Sequence, residues 1–352
     1  MELGSEYSLR FSDLTVKKNN IFQYLSCYHK QCFFDSGRSA LKHLVSFFCS
    51  KDEVLLPEFI CESVTNCFNG LKIKFYKIKQ DFSVDVDSIE SQISKDTRSI
   101  LLMHYFGSIQ PLEQLQRINN IARKHNLIII EDTTHSIFSK SDTIGDYQIC
   151  SIRKWMPIPS GGVLYSKNDP LDVFDTITYK SSIDNDRSYG MVLKELFLST
   201  GLDCNLEYRK IFTECEDKID RQNDIYLLSD FARFIASCVD ILNLKNNRTK
   251  NFHYLNEELI KKGVKSAIQL NSDDCPLVLP LRVKKRDQFR AFLMDNRIYC
   301  AVHWPFDGIM KEHRVFADEC AQKLISLPID QRYERDDIDY MIDVISRYGE
   351  EL

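Results

Sequence analysis

Leu127-Ile128-Ile129-Ile130-Glu131-Asp132-Thr133-Thr134-His135 joins an unbroken aliphatic run to two acids, two threonines and a histidine. A short apolar run with polar residues at its end is the pattern of a strand buried on both faces, as parallel sheets require. Asp132 then stands at the carboxyl end of that strand, where open α/β sheets gather their ligands. Outward from this stretch the same alternation recurs. Val54-Leu55-Leu56 precedes Ile60 to Phe68, Ile73 to Tyr76 precedes Val84 to Ile93, and Ile100 to Met103 precedes Leu112 to His125. Strands alternating with amphipathic stretches predict right-handed crossovers. The expected fold class is α/β, a three-layer large domain with a mainly parallel mixed sheet covered on both faces.

Beyond Lys167 the pattern changes. Asn168-Asp169-Pro170 marks a turn, and the polar stretch Tyr179 to Tyr189 has weak periodicity, so a linker with a mobile segment is expected at about 168–225. From Tyr226 to Leu242 the apolar spacing is helical, and one long helix is predicted to run on to about Lys262 through Asn247-Arg248-Thr249. The tail predicts a small α/β lobe: strands at 277–282, 299–302 and 325–329, and helices at 286–295 and 336–347. The domains expected are therefore 1–245 and 246–352.

With 352 residues, 43% hydrophobic and 28% charged, the chain can bury one large core and a smaller one. A net charge of -5 with both signs interspersed leaves no basic footprint for nucleic acid. The start, Met1-Glu2-Leu3-Gly4-Ser5-Glu6, carries acids where a signal peptide carries bases, and no apolar run reaches the roughly 18 residues of a membrane span. A cytoplasmic protein is expected. The twelve cysteines include no C-x-x-C pair, so no metal site is predicted and most should be reduced small hydrophobes.

The second informative stretch is Ser151-Ile152-Arg153-Lys154-Trp155-Met156-Pro157-Ile158-Pro159-Ser160-Gly161-Gly162. A lysine about twenty residues after a strand-end acid, and just before a Gly-Gly strand, fits pyridoxal 5'-phosphate (PLP) chemistry. The amine of Lys154 would bond to the cofactor, and the Asp132 carboxylate would hold the pyridinium proton. Most lysines lie on the surface, but Ile149, Cys150, Ile152, Trp155 and Met156 predict an apolar setting for this one, with Arg153 as a nearby second cation. Asp132 would serve equally as an N-cap for the residues after it. His135 is placed to bond or stack on the cofactor. Phe33-Phe34-Asp35-Ser36-Gly37-Arg38-Ser39-Ala40-Leu41 reads as a strand entering a helix, whose first amides and dipole make a phosphate cup. Gly161-Gly162 would let backbone pass close to the lysine turn. His104-Tyr105-Phe106-Gly107 ends a neighbouring strand, and His303-Trp304-Pro305 is a candidate for the substrate entrance.

Together these residues resemble the DegT/DnrJ/StrS type of nucleotide-sugar aminotransferase, within the PLP-dependent aspartate aminotransferase superfamily. The resemblance runs from Ser36-Gly37-Arg38-Ser39 through Leu56-Pro57, Asp132-Thr133-Thr134-His135, Ile144-Gly145-Asp146 and Lys154 to Gly161-Gly162 and Leu327-Pro328-Ile329. It implies a covalent cofactor link at Lys154, a pyridinium contact at Asp132, and a cofactor hydroxyl contact at His135. It also implies phosphate contacts from the backbone at Gly37, Arg38 and Ser39 and from the Ser151 hydroxyl. An aromatic packed on the ring is implied as well, Phe59 in one alignment and Cys61 in its place in the other. The lysine segment is shorter than is common in that family, Ser160 replaces an acid, and Arg38 stands where threonine is frequent. The activity implied is transfer of an amino group from a donor, glutamate being expected, to a nucleotide-linked keto sugar by a homodimer. Asn246, Asn247 and Arg248 are candidates to reach the neighbouring subunit. The alternatives are a PLP enzyme acting on an amino acid by another reaction, and a non-catalytic relative serving as a regulator.

Overall fold

Nine strands form among the described residues: β1 (Lys30–Phe34), β2 (Glu53–Pro57), β3 (Lys72–Tyr76), β4 (Thr97–Met103), β5 (Ile128–Asp132), β6 (Tyr147–Cys150), β7 (Gly162–Ser166), β8 (Leu279–Arg282) and β9 (Leu324–Leu327). The computed structural model describes residues 2–140, 143–305 and 314–348. Seven strands make the expected mixed sheet, in the order β1-β7-β6-β5-β4-β2-β3, and β8-β9 make a second. The chain divides into two compact units, Glu6–Phe47 with Asp146–Leu242, and Glu2–Ser5 with Phe48–Gly145 and Asn243–Leu352.

In the first unit, β7 pairs antiparallel with both β1 and β6, and Phe34 lies opposite Gly162. The helix Gly37–Val45 buries Ala40, Leu41 and Leu44. It also buries His43, whose ring nitrogens meet the Tyr179 hydroxyl at 3.0 Å and the Val173 carbonyl at 2.9 Å. Where a mobile segment was expected, the chain forms two helices, Asn185–Thr200 and Asn205–Arg221. Leu196, Leu198 and Leu206 remain exposed, so the sequence does not show one clean apolar stripe. Gly190 lets the pair close, since a Cβ there would stand 3.0 Å from Ile211. The expected long helix is two, Asp230–Ser237 and Ile241–Lys261. They separate where the Lys17 amide donates to the Ser237 carbonyl at 2.9 Å and the Ile241 amide to the Asn19 carbonyl at 2.8 Å. These bonds occupy the helix ends that a continuous helix would satisfy internally.

In the second unit β2 pairs parallel with β3 and β4, and β4 with β5. Helices Val86–Gln92 and Leu112–His125 supply the crossovers after β3 and β4. The C-terminal part contributes β8 and β9 and the helices Arg286–Asp295, Val315–Lys323 and Arg335–Ser346; the strand expected at 299–302 is reduced to one bridge, Ala301 to Ser326. Leu55, Ile100, Leu102 and Ile129 share one continuous apolar cluster with Leu279, Leu281, Leu327, Phe289 and Met341. The unit division at 242/243 lies near the expected boundary at 245, yet residues 48–145 group with the C-terminal part because their core is common. Arg248 is not available to a neighbouring subunit. It is 1% exposed and donates to the Leu277 carbonyl at 2.7 Å and Gln331 Oε1 at 2.9 Å.

The tightest approach in the first unit is at Gly162, where a Cβ would lie 2.1 Å from the Ser36 carbonyl carbon and 2.4 Å from the Gly37 nitrogen. Both are backbone atoms that cannot swing aside. Gly162→Ala is expected to cost at least about 1–3 kcal/mol, measured as a lowered denaturation midpoint.

Candidate active site

Ser36 caps the helix Gly37–Val45, its hydroxyl oxygen accepting the Ser39 amide at 3.1 Å. That amide, one of three expected to face a phosphate, is thus already engaged. The Ser36 hydroxyl also donates to Ser39 Oγ at 3.1 Å. Gly37 faces Ser151, and a Cβ on it would stand 3.2 Å from both the Ser151 nitrogen and its Cβ. The structure therefore brings the predicted phosphate turn and the residue at the head of the lysine turn into direct contact. The Arg38 side chain turns outward to pair with Asp220.

The lysine turn is a single 3-10 turn, Ile152–Lys154, following β6 and Ser151. Ile152, Trp155 and Met156 are fully buried, and Gly161 packs so closely on this segment that a Cβ would lie 2.8 Å from Ile152. Lys154 itself is exposed, contrary to the expectation of an apolar setting. The apolar neighbours fill the inner face of the turn, which leaves its outer face to the lysine. Arg153 does not act as a loose second cation either, because Glu216 holds its guanidinium at 2.8 Å.

In the second unit Asp132 ends β5 opposite Met103 of β4 and is 3% exposed. Its Oδ1 accepts the Thr134 amide at 2.9 Å, so the carboxylate does cap the following turn. His135 is fully buried, and its Nδ1 accepts the Phe106 amide at 3.4 Å, which puts the ring proton on Nε2. Trp304 stacks on this imidazole, with centroids 5.5 Å apart and planes at 24°, and His303 meets it edge-on at 5.2 Å. The His303-Trp304 pair, expected at an entrance, is thus a wall around His135. Phe59 is 1% exposed and enclosed by Tyr105 at 5.4 Å and Trp304 at 4.9 Å, while Cys61 is half-buried beside Ser63. Burial pushes His104 down to about 4, and its Nδ1 accepts the Gln110 amide at 3.1 Å. It is a neutral structural histidine.

Asp35 carries a feature that the motif reading passed over. It is 8% exposed, its Oδ2 accepts from Gln222 at 2.8 Å, and Oδ1 has no hydrogen-bond partner. Burial raises its carboxyl, against the lowering effect of Ser39, Gln222 and Ser36. The residue lines a cavity of about 560 Å³ with Ser160, Asp184, Gln222 and Tyr226. Nothing in the sequence separates a buried aspartate here from an ordinary cap.

The model of the DegT/DnrJ/EryC1/StrS aminotransferase family matches residues 24–172, a span that takes in the phosphate turn, Asp132, His135 and Lys154. The UDP-4-amino-4,6-dideoxy-N-acetyl-beta-L-altrosamine transaminase of Campylobacter jejuni is 23% identical, over 92% of this chain and 86% of that one. The structure of a DegT DnrJ EryC1 StrS aminotransferase from Brucella abortus superposes with a TM-score of 0.66 at 18% identity, over 98% of this chain and 92% of that chain. NtdA from Bacillus subtilis with bound cofactor PMP gives a TM-score of 0.64 at 16% identity, over 93% of this chain and 74% of that chain. The resemblance read in the sequence is thus matched over residues 24–172, the relatives that cover most of the chain include a named sugar transaminase, and the solved aminotransferases share its fold.

Asp35 keeps its proton in the folded chain at a pH where the unfolded chain has already released it. Stability is therefore lost as pH rises from the ordinary aspartate value through the raised one. Asp35→Asn retains an acceptor for Gln222 and removes that loss. It should melt higher than the parent at pH 8, with the gap closing below about pH 4, as read by thermal denaturation across pH.

Proposed function

We propose that the chain transfers an amino group from glutamate to a keto sugar carried on a nucleotide, using PLP held at Lys154. The observation that carries this is the meeting of Gly37 with Ser151, 3.2 Å from an added Cβ, which sets a helix N-terminus beside the head of the lysine turn. First-turn amides and the helix dipole make that place favourable for a phosphate. Gly37 and Arg38 would supply amides, and Ser151 its hydroxyl, whereas Ser39 would act through the hydroxyl network with Ser36.

When bound, PLP supplies a pyridinium ring able to accept the electron pair freed at the substrate carbon. Lys154 Nζ would anchor it and then carry the proton to and from that carbon as general base and acid. Asp132 is assigned to keep the ring nitrogen protonated, for which a buried, oriented carboxylate is suited. The His135 Nε2 proton, fixed by the bond at Nδ1, would be available to the cofactor hydroxyl. The aromatic face is assigned to the Phe59–Trp304 pair.

The exposure of Lys154 in the single chain supports a homodimer, in which a second copy would help to exclude water from the amine. Apolar side chains left uncovered in the first unit, Ile183 at 84% and Leu206 at 83%, favour the same assembly. None of the twelve cysteines is in a disulfide, which favours a cytoplasmic location.

Wild-type protein given PLP should show a visible absorbance band that glutamate bleaches and a nucleotide-linked keto sugar restores. Lys154→Ala should lose the band, and Asp132→Asn should slow the glutamate half-reaction by about 100-fold or more. A band that persists in Lys154→Ala, or ignores glutamate, defeats the assignment.

A further inference from the structure

The segment that carries Lys154 is held from outside by an ion network confined to the first unit. Arg153 Nη1 lies 2.8 Å from Glu216 Oε1, and its Nη2 donates to Glu216 Oε2 at 3.1 Å, a two-pronged grip on the helix Asn205–Arg221. Arg187, on the helix Asn185–Thr200, places Nη1 2.6 Å from the same Glu216 Oε1 and Nη2 2.6 Å from Glu6 Oε2. The residue next to Glu6 closes the other flank, the Tyr7 hydroxyl donating to the Trp155 carbonyl at 3.2 Å. Lys154 therefore sits between two clamped neighbours. Burial opposes ionisation of Glu216, but Arg153 and Arg187 outweigh it and hold the carboxyl below its usual range. The other ionisable groups here are Lys194, whose ammonium donates to the Glu6 carbonyl, Cys215, and the Asp186–Lys218 pair.

Resting on the reading of Lys154 as the cofactor lysine, we propose that Glu216 is a positioning residue for that lysine: it fixes the turn through Arg153 and cancels the positive charge carried by the residue next to the lysine in the turn. A three-residue 3-10 turn has little rigidity of its own. A bidentate carboxylate–guanidinium pair supplies direction as well as attraction. Arg187 serves as the second cation that keeps Glu216 ionised and aimed.

The test is the pH titration of the visible band in purified holoenzyme. In Glu216→Gln the Arg153 cation is left uncompensated beside the lysine and disfavours the protonated link, so the midpoint should fall by about 0.5–1 unit. The double variant Glu216→Gln/Arg153→Gln should return to the wild-type midpoint, and Arg153→Gln alone should raise it. A purely structural role would lower stability in all three without this pattern of signs. An unmoved midpoint in Glu216→Gln, or a double variant that keeps the shift, overturns the proposal while leaving the function intact. A wild-type band that survives in Lys154→Ala overturns both.

Discussion

Backbone meeting backbone without side chains is the constraint on which the first unit depends. β7 can pair with β1 at the Phe34–Gly162 step only because Gly162 presents a hydrogen to the Ser36–Gly37 peptide. One residue earlier, Gly161 presents the same bare face to Ile152 and Ile158, and Gly37 does so to Ser151. The turn at Ser36–Gly37 is thereby packed closely against two segments more than a hundred residues further along the chain, the lysine turn and the start of β7. In a chain with only 12 glycines, three of them are spent within this small volume. The packing fixes the distance between a helix terminus and the lysine turn, as the proposed phosphate and amine sites would require.

The strands were legible because both faces of a parallel strand are buried, so Ile128-Ile129-Ile130 and Ile100-Leu101-Leu102 read as continuous apolar runs. The helices Arg286–Asp295 and Leu112–His125 were legible through their spacing. The pair Asn185–Thr200 and Asn205–Arg221 was not, because part of its apolar surface faces solvent in the single chain while ion pairs tie its inner side. Spacing alone cannot see a helix whose partner is a salt bridge. The grouping of residues 48–145 with the C-terminal part escaped for a related reason: a shared core is a property of contacts between distant segments, and no local pattern encodes it.

At the candidate site, residue types were legible and their surroundings were not. Lys154 was placed in an apolar setting because its neighbours in sequence are apolar, yet on a 3-10 turn those neighbours point inward and the lysine outward. The prominence of Arg153 came from adjacency; in the fold its charge belongs to Glu216, 63 residues away. Trp304 was assigned to an entrance, whereas it stacks on His135. In each case the missing quantity was side-chain direction, which sequence spacing constrains only inside regular helices and strands.

The network around Glu216 also bears on why a shortened lysine segment can still serve. A longer loop can fold back on itself and fix a lysine through its own backbone bonds. Here the turn is closed by one bond of ordinary length, the Trp155 amide to the Ile152 carbonyl at 3.0 Å, while the Lys154 amide reaches the Ser151 carbonyl and the Arg153 amide the Gly161 carbonyl only at 3.4 Å, both long for such bonds. Further orientation comes from outside the turn. A charged pair anchored on two helices meets that need better than apolar packing would, because it specifies direction, and because Arg187 and Glu6 balance its charge. The two helices that sequence spacing left unassigned are on this view the support of the lysine turn, and their ion pairs, rather than their apolar faces, are what ties them to the chemistry.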